Sequence, residues 1–350
     1  MLHVDFEKIK DRYQQFWALE NTDQPIMRLY APSDKNLPAP IAPDTLEERW
    51  TDVDYVVKRT RWRMENRYCC GDMYPGTYPN LGPDLTGAIL GCDLSFGEDT
   101  TWAHPFIKDW AQAEQVTLDT NNKWYKKLAE LTTALVEDSK GDYVVGYTDM
   151  HGGLDLLVSM RGPEEMCMDL YDYPDEVKKY TFKYWEFVKQ IYNAQYDIIS
   201  KNLPGTASWM EIWHPGRSYI TSCDMAYLMS TEHFDEFILP ELLVECDYFD
   251  QNIFHLDGIG SFKHLDRLLS IPKIGGIQWV QGAGAPSASH WIAEYKKIQA
   301  AKKTLVVNAE PDEIPFLMQH LRPEGLCITA GCSSQQEADD LIAITKKWGK

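Results

Sequence analysis

The sequence predicts an α/β chain, and its eight strand-length apolar runs favour a (β/α)8 barrel of the TIM type over a doubly wound sheet, which the same alternation permits. Three observations predict it. Apolar runs recur at 25–31 (PIMRLYA), 73–80 (MYPGTYPN), 143–149 (YVVGYTD), 207–213 (ASWMEIW), 252–258 (NIFHLDG), 275–282 (GGIQWVQG), 304–309 (TLVVNA) and 326–331 (LCITAG). The last four are nearly unbroken in apolar character, as strands covered on both faces should be. Between the runs, apolar residues recur at helical spacing or helix start signals appear.

Taken in order, residues 1–24 read as an N-terminal helical extension of a single domain spanning 1–350. Residues 45–67 repeat apolar side chains at helical spacing, and 122–138 are amphipathic. The long segment 81–120 reads as loops folded over one end. Pro174 suits the first turn of a helix near 175–201, because proline lacks the N–H that a first turn leaves unused. Thr231 is a candidate cap for the helix opening EHFDEF. Ser334 with Glu337 three residues on fits a capping box before the last helix.

Composition excludes several functions. Among 350 residues, 34 Lys and Arg stand against 53 Asp and Glu, a formal net charge of −19. Sequence-independent nucleic-acid binding and anionic membrane surfaces both need the opposite sign. Hydrophobic residues at 44% and charged residues at 25% are the balance of a globular chain rather than a disordered one. No apolar run reaches the roughly 18–20 residues that span a bilayer. The start, MLHVDFEKIKDRYQQFW, lacks the basic and apolar regions of an export signal. Eight cysteines without a CxxC pair give no support to a zinc-ribbon or thioredoxin-like reading. Reduced thiols and a cytoplasmic location are the expectation.

Barrel enzymes carry their chemistry where strands end. Six of the expected strand ends here are rich in polar side chains. Asp149 and His151 follow the third run, with Asp155 beyond. Glu211 lies in the fourth, then His214 and Arg217. His255 and Asp257 lie in the fifth, Gln278 and Trp279 in the sixth, Asn308 closes the seventh and Cys332 follows the eighth. His255 and Asp257, two apart on one strand, share a face. With Cys332 they make an N, O, S donor set suited to zinc. Each of these residues also has a purely structural reading, as a cap, a turn or a buried hydrogen-bond partner.

The stretches GYTDMHGGLDLL, RGPEEMCMDLYDYPDEV, SCDMAYLMSTEHFDEFILPEL, FHLDGIG, IQWVQGAG and ITAGCSS, in that order, resemble the uroporphyrinogen decarboxylase superfamily, and within it the cobalamin-dependent methyltransferase-like branch. NLGPD (80–84) and EDTTW (98–102) extend the resemblance toward the N-terminus. It implies a (β/α)8 barrel and, in methyltransferase members, zinc held by a His-x-Cys pair and a distant cysteine. His255 matches the histidine and Cys332 the distant cysteine. Asp257 stands where the middle cysteine would be. That exchange replaces a soft thiolate with a hard oxygen. A metal-bound thiolate would be a poorer nucleophile, and an oxygen or carboxylate substrate becomes the better expectation.

The resemblance implies methyl transfer on a small substrate, with cobalamin carried by a separate corrinoid protein and Zn2+ on His255, Asp257 and Cys332. In that reading Asp149, His151 and Glu211 are the candidate catalytic residues. Trp102, Arg217, Gln278, Trp279 and Asn308 are the candidate substrate-binding residues. The DMHGG stretch is not read as a cobalt ligand, since the family places it inside the barrel. Two alternatives stand beside it, a decarboxylase of a small carboxylated substrate and a non-catalytic ligand-binding barrel. The decarboxylase members share an MRQAGR signature; here only Arg28 in PIMRLYA fits it, too few arginines for uroporphyrinogen itself. Oligomeric state has no signal in the sequence.

Overall fold

The structure is a computed structural model describing residues 4–348. Among them the strands are β1 (Ile26–Pro32), β2 (Arg67–Gly71), β3 (Gly76–Thr77), β4 (Asp93–Phe96), β5 (Thr101–His104), β6 (Val144–Val145), β7 (Ser218–Ser222), β8 (Gln251–Asp257), β9 (Gly276–Val280), β10 (Thr304–Asn308) and β11 (Leu326–Gly331). Seven form one sheet in the order β2-β1-β11-β10-β9-β8-β7. Its neighbours are parallel except β1 with β2. β3 pairs with β6 in parallel, and β4 with β5 antiparallel, in two small sheets. Helices follow most of the parallel strands, so the architecture is the expected α/β type.

One expected strand is absent. Residues 207–213 form a turn, and the strand is β7, beginning five residues later. Thr206 and His214 bridge each other antiparallel across this segment. Glu211 donates its N–H back to the Ser208 carbonyl, with φ at 55°. The run is apolar because Ala207, Met210, Ile212 and Trp213 fill a core, and apolar length alone does not separate a buried loop from a buried strand. Two other runs, 73–80 and 143–149, are paired as strands only at β3 and β6.

The helix expected over 45–67 is two helices, Leu46–Thr51 and Val53–Glu65. Asp52 divides them, its carboxylate accepting the Tyr55 N–H at 2.7 Å as an N-cap. Ser230, not Thr231, caps the next predicted start, accepting from the His233 N–H. Pro174 does open the helix Pro174–Ile199. Ser334 caps Gln335–Thr345, but Glu337 turns to the Ser333 N–H and hydroxyl, so the box is not reciprocal.

Alternation along the strands divides the sheet between two cores. Met27, Leu29, Phe254, Leu256, Ile277, Trp279, Ile328 and Ala330 enter the large core shared with the helices. Ile26, Ile220, Ile253, Val306 and Cys327, on the other face, enter a smaller core. The helix Phe6–Ala18 supplies Phe6, Ile9, Tyr13 and Phe16 to it. Arg12 fixes this helix at the start of β1 by donating to the carbonyls of Gln24 (2.7 Å) and Pro25 (3.0 Å). No helix among the described residues is long and apolar enough to cross a membrane. All eight cysteines are free thiols.

Candidate active site

The inner face of the sheet changes character along its strands. Where the strands begin it is apolar, closed by the N-terminal helix. Where they end, the same face carries Arg28 and Tyr30 on β1, His255 and Asp257 on β8, Gln278 on β9, Asn308 on β10 and Thr329 on β11. Parallel registry sets His255 beside Gln278. The His255 Nδ1 lies 2.5 Å from Gln278 Oε1. An amide oxygen only accepts, so Nδ1 is the donor in this contact and Nε2 is the ring nitrogen not engaged by Gln278. The Trp209 ring stands edge-on to the imidazole at 5.3 Å between centroids. Asp257 is two residues on, on the same face. Burial raises its carboxyl pKa, His255 opposes that, and Asp224 adds to it.

Asp224 begins the short helical turn that follows β7. Asp155, buried in the helix Gly153–Arg161, holds this turn. Its Oδ2 accepts the Asp224 N–H at 2.7 Å and its Oδ1 the Met225 N–H at 3.0 Å. One donor atom each of His151, Asp155 and Asp224 lies within 4.8 Å of the others. Burial works against a charged His151 ring, but Asp155, Asp149 and Asp224 outweigh it and raise its pKa. Asp149 is raised by burial, with His151 and His255 opposing. Asp224 is raised by desolvation and then by Asp155. Tyr219 braces the loop, donating to the Thr148 carbonyl at 3.0 Å and accepting the Met150 N–H at 2.6 Å.

Behind the loop lie Glu241 and Glu245, both buried on the helix Leu239–Tyr248. Burial raises both, Glu245 to about 8. Gly153 needs its small size here: its φ is +51°, and a Cβ would meet Glu241 Oε2 at 2.8 Å.

The structure brings together Asp149, His151, His255, Asp257 and Gln278 of the residues singled out above. Asn308 lines a neighbouring cleft of about 500 Å³ with Tyr30 and Thr329. Four others fall elsewhere. Arg217 precedes β7 instead of following a strand, so it sits at the opposite end, stacked 4.9 Å over Tyr196. Trp279 points to the outer layer, where Phe262 and Trp291 pack on it at 4.9 and 5.1 Å. Cys332 has the parity of Ile328 and Ala330, and its thiol joins the large core. Trp102, on β5, is 54% exposed. Glu211 enters from the 207–213 turn and pairs with the buried Arg28 at 3.3 Å. Among the described residues His255, Asp257 and Cys332 form no coordination-sized group. Asp224 escaped the sequence reading because the fourth strand was set too early; with β7 in place, the strand-end rule finds it directly.

The fold has a solved counterpart. A methyltransferase from Methanosarcina mazei superposes with a TM-score of 0.64, at 14% identity, over 97% of this chain and 98% of that one. At that identity the likeness establishes a shared fold. Sequence comparison gives no match to a family model and none to a curated protein.

Proposed function

We propose that the chain is a metal-dependent methyltransferase-like enzyme with a (β/α)8 barrel, acting on a small substrate where the parallel strands end and exchanging the methyl group with a separate corrinoid protein. The observation that supports it is the gathering of His255, Asp257, Asp224 and His151 at the ends of β8, β7 and β6, on a fold shared with a methyltransferase. The resemblance to the cobalamin-dependent branch supplies the reaction class.

His255 fits: Gln278 holds its Nδ1–H, the outer-shell bond that orients a ligating imidazole. Asp257 fits by sharing its face. Cys332, facing the large core, does not meet them; Asp224, which acts electrostatically on Asp257 and is acted on by His255, takes the third place in this reading, although in the structure as it stands Asp224 is of coordination size only with His151 and Asp155. One nitrogen and two carboxylates suit zinc or another divalent ion. Such an ion supplies Lewis acidity to a substrate heteroatom. The chain's own residues do the rest. Gln278 fixes the imidazole tautomer, Asp155 fixes the Asp224 turn, and His151, raised by its acidic neighbours, holds a proton at the edge of the group for the leaving or entering heteroatom.

Metal analysis tests this reading. A near-stoichiometric divalent ion that is lost in His255→Ala and Asp257→Ala, and kept in Cys332→Ser, is expected. A normally folded, metal-free protein, or metal that survives both alanine variants, overturns it. A corrinoid protein retained from an anaerobic extract supports the partner; turnover of uroporphyrinogen would move the chain to the decarboxylases.

A further inference from the structure

We infer that Arg59 and Arg63 form a subsite for the anionic end of a small organic anion, a carboxylate or a phosphate-type group, opening beside the strand ends. A recess of about 200 Å³ lies between the helix Val53–Glu65 and the chain that follows β3, lined by Arg59, Arg63, Trp50, Tyr78 and Asn80. Arg49 and Glu98 close its outer edge as an exposed ion pair at 3.4 Å, with Asp99 beside them.

The two arginines are conspicuous by what they lack. Acidic residues abound in a chain of net charge −19. Arg61, on the same helix, pairs with both Asp138 and Asp142, at 3.0 and 2.7 Å. Arg59, among the described residues, makes no ion pair and no side-chain hydrogen bond. Arg63 donates once, from Nη2 to the neutral Thr77 hydroxyl at 3.0 Å. The acid nearest in effect, Glu211, is paired with Arg28. Arg59 and Arg63 are four residues apart, so they are neighbours on the helix surface, and like charges at that spacing repel. Arg67 adds a third positive charge next to Arg63. An oxyanion in the recess would relieve this repulsion. Guanidinium groups grip planar or tetrahedral oxyanions with paired N–H bonds.

The recess is also placed for a substrate that extends from the rim. Thr77 ends β3, and Tyr78, the next residue, lines the recess and lies within electrostatic reach of both Arg63 and Asp149. A bound anion at Arg63 would therefore point its remaining atoms toward Asp149 and His151. This part of the inference rests on the rim being the reacting end; the anion subsite itself does not need a metal.

Calorimetry on the full chain, stripped of metal with chelator, tests it with methylphosphonate and propionate as the two probes. Saturable one-to-one binding of either, weakening with added salt, is expected, and the tighter of the two assigns the class. Arg59→Gln and Arg63→Gln should each weaken it roughly tenfold or more, the loss of a charge-assisted hydrogen bond. Lys58→Gln, on the exposed side of the same helix, should leave it unchanged. Should Arg63→Gln fail to fold, Arg59→Gln carries the comparison. Binding of neither probe, or binding that persists in the arginine variants, overturns the subsite. Retention of binding in His255→Ala keeps the subsite whatever the fate of the metal reading; loss there with retention in Arg63→Gln puts the anion at the other end and overturns it.

Discussion

The two ends of the same parallel strands have been put to opposite uses. At the ends where strands begin, Ile26, Ile220, Ile253, Val306 and Cys327 meet Phe6, Ile9, Tyr13 and Phe16 in an apolar seal. Two or four residues further along the same face come Arg28, His255, Asp257, Gln278 and Thr329. The first end gains free energy by removing apolar area from water. The second leaves polar groups on that face, among them Asp257, whose carboxyl pKa burial raises. A face that needs to be only stable has no reason to change character halfway, and the proposed function takes that change as its site.

Mutations can break this contrast. The largest effect belongs to the sealed end. Phe16 is fully buried, and Phe16→Ala should cost about 3–5 kcal/mol, read as a lowered urea midpoint with metal affinity unchanged in the protein that stays folded. At the other end, Asp155→Ala leaves the Asp224 and Met225 N–H groups without their acceptor. It should cost about 2–3 kcal/mol and, unlike the first variant, also lower metal affinity. If Asp155→Ala altered stability alone, the loop would be scaffold and the contrast would fail.

The next test uses pH. Glu245 titrates near 8 in the fold against an ordinary 4.5, because it is buried. The folded protein therefore holds a proton that the unfolded chain has released, so this group's contribution is complete below about 4.5 and is lost as pH rises through about 8. Glu245→Gln should flatten the fall in stability across that interval and overtake wild type at its upper end; parallel curves would show that Glu245 titrates normally. Gln278→Leu removes the partner of His255 Nδ1 and should weaken metal binding about 10- to 100-fold with little change in melting. The smallest effect is expected at Arg217. Its guanidinium lies over Tyr196 on the sealed side, and Arg217→Ala should cost about 1 kcal/mol and leave turnover untouched. A large loss of turnover instead would return Arg217 to the substrate.

Much of this was legible in the sequence. The strands β8 to β11 are short, apolar and bounded by turns, and the structure has them within a residue or two of the expected ranges. His255 and Asp257 follow from period-two alternation, and their partner Gln278 from the neighbouring strand. Two of the failures share one displacement. Ala207–Trp213 looks like a strand because its side chains are buried, yet its backbone doubles back at Glu211. With the fourth strand set too early, Arg217 was carried to the wrong end and Asp224 passed over. Trp279 and Cys332 were misplaced for a different reason. Position at a strand end says nothing about which face a side chain takes, and parity puts both on the helix side. The recess at Arg59 and Arg63 had no signature at all, since it depends on which arginines of one helix find carboxylates in the folded chain.

The doubled-back segment Ala207–Trp213 spans the interior from one end to the other. The Trp213 carbonyl accepts from Trp17 Nε1 of the N-terminal helix at 2.9 Å, while Trp209 leans on His255 and Glu211 grips Arg28. One short segment thus touches the first helix, β1 and β8 along a single face of the sheet, so the sealed end and the polar end share a common strut.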